Sequence, residues 1–488
     1  MLLNQFIWNN YKESKEGQEV IKLFEEGSYE EIIKCFIEEK NKSHKFLVDL
    51  TITFESNDIP EDTAPDKILE LIIDKGIIGF DEEKNEEFVI YQPNDFDYII
   101  SDIEALSLFL FAAKPDFFLP YFFALNFSKL QKIADTFNIE LPPVPLRKEK
   151  KERVLYYEKF CKIFNQIKED NHLTPYEVCA FLYDFAPKFI GKEPEILPDA
   201  TNIWLCGGAK DDYPFLIKAK EDTTFFWQGN EDTKKGDIIV MYCLSPKSNI
   251  EFICRAINDG IRDPFFHYYG SITVGQIQKV EPIHISEIKS DNHLQTLPIV
   301  KKNLQGVNGT HLNNVDYLRI LEILKEKGQD ISKLPKLSSV EFQPNSECKN
   351  EREVETLIVE PFLNKVGYSE KDWTRQLPVR MGRGERNYPD YTFFAETKKG
   401  YEKAKMLLET KFWIKNNREL EETFQQAHSY ALRLESNVLI ICDKDFVWIY
   451  ERSNQSFDRT KYFKFNWQEL NNPDTFNKIK KIIGKDFL

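Results

Sequence analysis

Along the first 195 residues apolar side chains recur at three- and four-residue spacing, as in residues 27–39 and 152–168, and predict a mostly helical region. Within it, the Pro-rich turn at 141–146 leads into a charged helix starting at 147–153, and Thr174-Pro175-Tyr176-Glu177 has the form of a capping box opening a helix over 176–184. The period changes near Pro198. Short apolar runs at 203–206, 223–227, 237–244, 252–257 and 273–280, separated by Gly, Asn, Asp and Pro, predict a small β-barrel or strongly bent sheet. Two helical segments close it, the last over 314–327. Residues 328–350 hold Gly, Ser and Pro with no sustained period and read as an interdomain linker. The remainder predicts a helix at 351–366, strands at 374–381, 390–394 and 405–411, a helix at 420–434 and strands at 437–442 and 446–451. That order implies a mixed sheet flanked by helices. The expected class is therefore multidomain α+β, with domains at 1–195, 198–327 and 351–488.

Length and composition agree with this division. The 488 residues exceed what one core usually serves, and 42% apolar with 30% charged residues is ordinary for a globular chain. The apolar runs 103–113 and 117–127 are separated by Lys114, Pro115 and Asp116 and are too short to span a bilayer. The first ten residues lack a basic segment followed by an apolar one, so a cytoplasmic protein is expected. Eight scattered cysteines without a CxxC pair argue against structural zinc and disulfides. A net charge of -15 opposes non-specific coating of nucleic acid, yet it is compatible with a site built of carboxylates that hold cations.

Such a site is legible near the C-terminus. Asp390 follows Pro389 at a strand start, and Glu409 lies in the next strand, so the two carboxylates meet if those strands pair. Lys411 is two residues beyond Glu409 and shares its face. Carboxylates that fix Mg2+ or Mn2+, with an ammonium beside them, are the equipment of phosphodiester hydrolysis. Glu351 and Glu355 lie four apart on one helical face, so either can point at the metal. Gln426 and Tyr430 are likewise one helical turn apart. Arg375, Arg380, Arg383 and Arg386 precede Asp390, interleaved with Gly382 and Gly384; a phosphate clamp and a solvated hairpin turn are equally good readings of that cluster.

These residues resemble, in order, the N-terminal nuclease domains of type I restriction enzyme R subunits, which are PD-(D/E)XK nucleases. The likeness rests on residues 351–363 with Val366-Gly367-Tyr368, Tyr388-Pro389-Asp390-Tyr391, Leu408-Glu409-Thr410-Lys411, residues 426–431, and the closing pair 438–443 and 447–450. It covers about residues 349–455. The stretch between Asp390 and Glu409 is long and charged and reads as a hairpin excursion. No Gly-x-x-x-x-Gly-Lys-Ser/Thr loop occurs, so no ATP or GTP site is expected and the motor of type I enzymes is not implied.

Residues 201–325 are similar to EVE domains of the PUA-like superfamily. The matching pieces are Trp204, Phe226-Trp227-Gln228-Gly229, Lys235-Gly236-Asp237 ahead of an apolar strand ending in Tyr242, and residues 297–309. The resemblance implies recognition of a modified base, with Trp204, Trp227, Tyr242 and Tyr268 as candidate aromatic walls. Most aromatic residues in a strand-rich domain are simply core. Together the two resemblances imply a modification-dependent DNA endonuclease, type IV-like and active in antiphage defence. Its expected partner is double-stranded DNA, it is expected to act as a homodimer, and no membrane is involved. Region 1–195 would serve dimerisation or DNA clamping around 147–153. The alternatives are a defence nuclease activated by an RNA or nucleotide, and a non-catalytic nucleic-acid reader.

Overall fold

The computed structural model describes residues 1–36, 64–81, 86–124, 126–191, 197–220, 223–344, 347–380, 386–398 and 401–488. The protein is α+β, with mixed sheets and many helices. It separates into two compact units. The first comprises residues 1–197, 220–235 and 256–276, and the second 198–219, 236–255 and 277–488.

The first unit owes its core to aromatic residues on helices. The long helix Lys150–Asn171 buries Tyr156, Tyr157, Phe160 and Phe164 along one side, and Phe118, Tyr121 and Phe181 join them. Thr174 opens Pro175–Ala180 with both halves of the capping box formed: Glu177 N–H donates to Thr174 Oγ1 (3.2 Å), and Thr174 N–H to Glu177 Oε2 (2.8 Å). The helical period did not announce the antiparallel strand pair Ile77–Asp81 and Glu86–Tyr91, which also lies in this unit. Residues 256–276 group here because Phe265 enters the aromatic core, its ring 4.8 Å from Tyr121. Arg153, 3% exposed, donates to Pro264 O (2.8 Å) and Phe266 O (3.0 Å). That arginine, in a mixed-sign run that reads as a solvated helix face or a DNA-clamping arm, is a buried backbone tie. Within the same unit Phe225–Gln228 pairs antiparallel with residues 271–274.

The second unit has two cores. Around the first, Ile203–Gly208 runs parallel to Ile238–Cys243 and antiparallel to Asn308–Leu312, and Asn314–Glu326 packs Ile320 and Leu324 against them. Around the second, a sheet carries Trp373–Arg375, Tyr391–Phe393, Met406–Thr410, Val438–Cys442 and Phe446–Ser453 in that spatial order. Met406–Thr410 and Val438–Cys442 are parallel, which requires a crossover, and helix Asn417–Arg433 supplies it. Side chains alternate across the sheet: Met406 and Leu408 face Val354, Ile358 and Phe362, whereas Leu407 faces Phe424, Ala427 and Tyr430.

Residues 328–344 and 347–350, read from the sequence as a linker, are packed rather than a free tether. Leu334 and Leu337 enter the first core and Phe342 and Cys348 the second. Ser338 N–H donates to Ala200 O, and Asn477 Nδ2 to Ser338 O. The apolar residues scattered among Gly, Ser and Pro are what anchor the segment. No helix among the described residues is long and apolar enough to cross a membrane.

Candidate metal centre and adjoining cavity

Strand register brings the first two carboxylates together. Tyr391 pairs with Leu408 in the antiparallel ladder, so the preceding Asp390 falls opposite Glu409. Asp390 Oδ2 accepts from Thr410 N–H at 2.7 Å, which fixes its carboxylate at the strand end. Glu351 and Glu355 arrive on the helix opened by Asn350, whose side chain caps Glu353 N–H. That helix widens into a π-turn over Glu355–Val359 before resuming at Glu360–Lys365. Such turns re-aim side chains within a helix and are frequent at functional sites.

One oxygen from each of Glu351, Glu355 and Asp390 lies within 4.8 Å of the others. Both helical glutamates thus join the cluster, where the sequence left the choice between them open. Glu409, expected with Asp390 as the ligand pair, stands beside this trio. Its side chain is 3% exposed; Oε1 accepts from Lys411 Nζ at 3.1 Å, and Oε2 is buried with no hydrogen-bond partner among the described residues. Burial first, and the charge of Asp390 second, push the Glu409 carboxyl up to about 7; Lys411 offsets part of this. Burial likewise raises Asp390 and Glu351. Burial pulls the Lys411 ammonium down, but Glu409 and Glu351 outweigh it and keep the group above its ordinary value. Burial is thus the main reason that the charged forms of Glu351, Asp390 and Glu409 are disfavoured here. An all-oxygen set of this kind suits a hard divalent cation such as Mg2+ or Mn2+, and the orphaned Glu409 oxygen fits the same need.

A cavity of about 710 Å³ opens beside the cluster, lined by Glu351, Lys411, Trp413, Lys415, Thr423 and Gln426 among others. Gln426 Nε2 donates to Tyr430 Oη (3.1 Å), so the expected polar pair is joined; Gln426 lines the cavity while Tyr430 is buried.

Arg375 behaves differently from the expected phosphate clamp. Its guanidinium pairs with Glu355, bonds Glu360 at 2.8 Å and sits 4.9 Å over the Tyr391 ring. Arg352 also reaches Glu355 (3.0 Å). Arg375 is thus held by the carboxylate cluster. Arg386 is exposed on a short strand paired with Val379–Arg380; Arg383 lies outside the described residues. Sequence reasoning missed Glu360, which accepts from both Arg375 and Tyr391 Oη (3.1 Å). Its only signal was a fourth glutamate on the same helix. Glu396 and Lys403 exchange backbone hydrogen bonds (2.9 and 3.2 Å), as a hairpin excursion requires.

The candidate base-reading aromatics are dispersed. In the second unit Trp204 is 5% exposed and donates from Nε1 to Asp237 Oδ2 (2.9 Å), and Tyr242 lies in the core. Both are occupied structurally and are not open walls. In the first unit Trp227 is buried, edge-on to Phe225 at 5.4 Å, and Tyr268 is exposed beside Phe266 and His267.

No family model matches the chain, and no curated protein matches it. Among solved structures it is similar to Rpa0253 from Rhodopseudomonas palustris, at 14% identity over 26% of this chain and 94% of that one, with a TM-score of 0.22. Atu2648 from Agrobacterium tumefaciens matches at 18% identity over 28% of this chain and 97% of that one, TM-score 0.23. A mutant ZmASCH protein from Zymomonas mobilis matches at 12% identity over 26% and 99%, TM-score 0.19. Likeness at this level assigns no activity.

Proposed function

We propose that residues 351–488 form a metal-dependent nuclease that hydrolyses DNA phosphodiester bonds, and that residues 198–327 direct it to DNA carrying a modified base. The observation that carries the first part is the convergence of Glu351, Glu355 and Asp390 beside the orphaned Glu409 carboxylate and Lys411. A bound Mg2+ or Mn2+ supplies Lewis acidity and a water of lowered pKa. Glu351, Glu355 and Asp390 would hold it, with Glu409 adjoining. Lys411, kept protonated by its two glutamates, neutralises charge developing on the phosphate oxygens or orients the attacking water. Gln426 lines the cavity through which the strand would lie. For base recognition, Tyr268 is the exposed member of the four candidate aromatics. Two copies acting together would cut both strands.

The test incubates the full chain with Mg2+ or Mn2+ and plasmids bearing unmodified, methylated, hydroxymethylated or glucosylated bases. Cleavage that Asp390→Ala abolishes is expected, with a preference among the plasmids. No cutting by wild type, or undiminished cutting by the variant, would sink the nuclease; equal cutting of every plasmid would sink the reader.

A further inference from the structure

The segment that follows the last catalytic candidate carries an aromatic side chain with no packing role to explain it. Trp413 is 45% exposed, and it lines the same cavity as Glu351 and Lys411. Two ammonium groups stand at its ring, Lys444 Nζ at 4.6 Å and Lys415 Nζ at 5.4 Å from the centroid. Its backbone is nevertheless fixed. Lys411 N–H donates to Cys442 O (2.9 Å) and Lys444 N–H to Phe412 O (3.3 Å), which carries the parallel pairing past the strand ends. Ile414 N–H donates to Asp443 Oδ2 (2.8 Å), and Asp443 is fully buried and also accepts from Asp445 and Phe446 N–H.

The acidic groups at this loop are tied to its backbone or to a neighbouring cation: Glu351 takes a hydrogen bond from the Phe412 backbone, and Asp443 one from Ile414. Glu419 accepts from Lys415 N–H (2.9 Å) and Asn416 Nδ2 (3.0 Å) at the start of helix Asn417–Arg433, and Glu422 pairs with Arg418 at 3.0 Å. What the loop presents is a rigid indole with cations on it. Trp413 lies two residues beyond Lys411, past the end of strand Met406–Thr410, and lines the same cavity as Lys411.

We propose that Trp413 is a stacking platform for one unpaired nucleobase next to the scissile phosphate, with Lys415 and Lys444 meeting the neighbouring phosphates. The inference rests on the nuclease reading above and names its substrate class: single-stranded DNA, or duplex with a locally unpaired nucleotide at the cut. An intact duplex hides both faces of each base in its own stack, so an indole can engage a base only after unstacking. Base-aromatic stacking tolerates any base and responds strongly to truncation of the ring. The cations explain how an acidic chain retains a strand at this edge.

The experiment uses the full chain and end-labelled oligonucleotides of one sequence: single-stranded, blunt duplex, and duplex with an unpaired tail. Binding is measured in Ca2+ and cleavage in Mg2+ or Mn2+. Wild type is expected to bind the unpaired forms about tenfold more tightly than the blunt duplex. Trp413→Ala should lose about tenfold on unpaired forms with little change on the duplex, whereas Trp413→Phe should stay within about threefold of wild type. Lys415→Ala with Lys444→Ala should weaken binding of every form and flatten its salt dependence. Equal wild-type binding of paired and unpaired forms, or unchanged binding by Trp413→Ala, overturns the platform. Trp413-dependent binding of unpaired DNA by a protein that cuts nothing would uphold the platform and overturn the nuclease.

Discussion

Two buried carboxylates in the second unit are treated in opposite ways. Asp237 is fully buried and accepts from Thr201 N–H (3.1 Å), Thr201 Oγ1 (2.9 Å), Asn202 N–H (2.8 Å), Asn202 Nδ2 (2.8 Å) and Trp204 Nε1 (2.9 Å). Its residue before it, Gly236, has φ +88°, and an added Cβ would stand 2.4 Å from Pro198 O. The Glu409 carboxylate is stabilised by Lys411 and by the Asp390 backbone N–H, fewer donors than Asp237 has, and its Oε2 is buried with no hydrogen-bond partner among the described residues. A carboxylate surrounded by fixed donors holds a fold together; one left short of donors is open to a further ligand, which under the proposed function is a divalent cation. The difference separates structure from chemistry within one unit, where residue type and burial alone do not.

Breaking the saturated carboxylate should have the largest effect. Asp237→Ala would strand at least four buried donor groups and should lower stability by about 3–5 kcal/mol, read by chemical denaturation. Restored stability in Asp237→Asn comparable to wild type would show that the charge is dispensable there. Next, Asp390→Ala should reduce cleavage at least about 10²–10³-fold while leaving the unfolding free energy within about 1 kcal/mol of wild type, since the proposed function places it at the cation rather than in the core.

The third test reverses the sign. The raised Glu409 carboxyl binds its proton more tightly folded than unfolded, so in chelator stability should fall as pH rises from about 4.5 through about 7. Glu409→Gln removes that penalty and should be more stable than wild type at pH 8 without metal, by on the order of 2 kcal/mol, with the advantage absent at pH 4. Added Mg2+ should stabilise wild type more than this variant, measured as a shift in Tm. The smallest effect is expected from Trp204→Phe, which removes one hydrogen bond to Asp237 and should cost about 1–2 kcal/mol. Modified-base preference should not change, and a loss of preference at unchanged stability would return Trp204 to the reader.

The candidate site was more legible than the units that surround it. Asp390, Glu409 and Lys411 follow from local facts, a strand opening after proline and the two-residue alternation, and both survive any packing of the rest. Glu351 and Glu355 were readable as a helical pair; their joint arrival depends on the π-turn at Glu355, whose wider hydrogen bonding no residue pattern announces. Arg375 misled because sequence shows charge and proximity along the chain, whereas Glu355 and Glu360 come from a helix 15 to 20 residues earlier.

The sequence by itself determined many of the elements: the capping box at Thr174, most strands from 203 onward, a helix between the strands at 405–411 and 437–442, and the order of acidic and basic residues along them. These depend on contacts within a few residues or on a repeating period. Only the tertiary structure decided which buried carboxylate is saturated and which has an oxygen without a partner among the described residues, that Trp204 serves Asp237, that Phe265 draws residues 256–276 to the N-terminal helices, and that Leu334, Leu337, Phe342 and Cys348 pack into the cores. Each is a matter of partners distant along the chain, and hydrogen-bond satisfaction is set by where those partners end up, not by the identity of the residue that needs them.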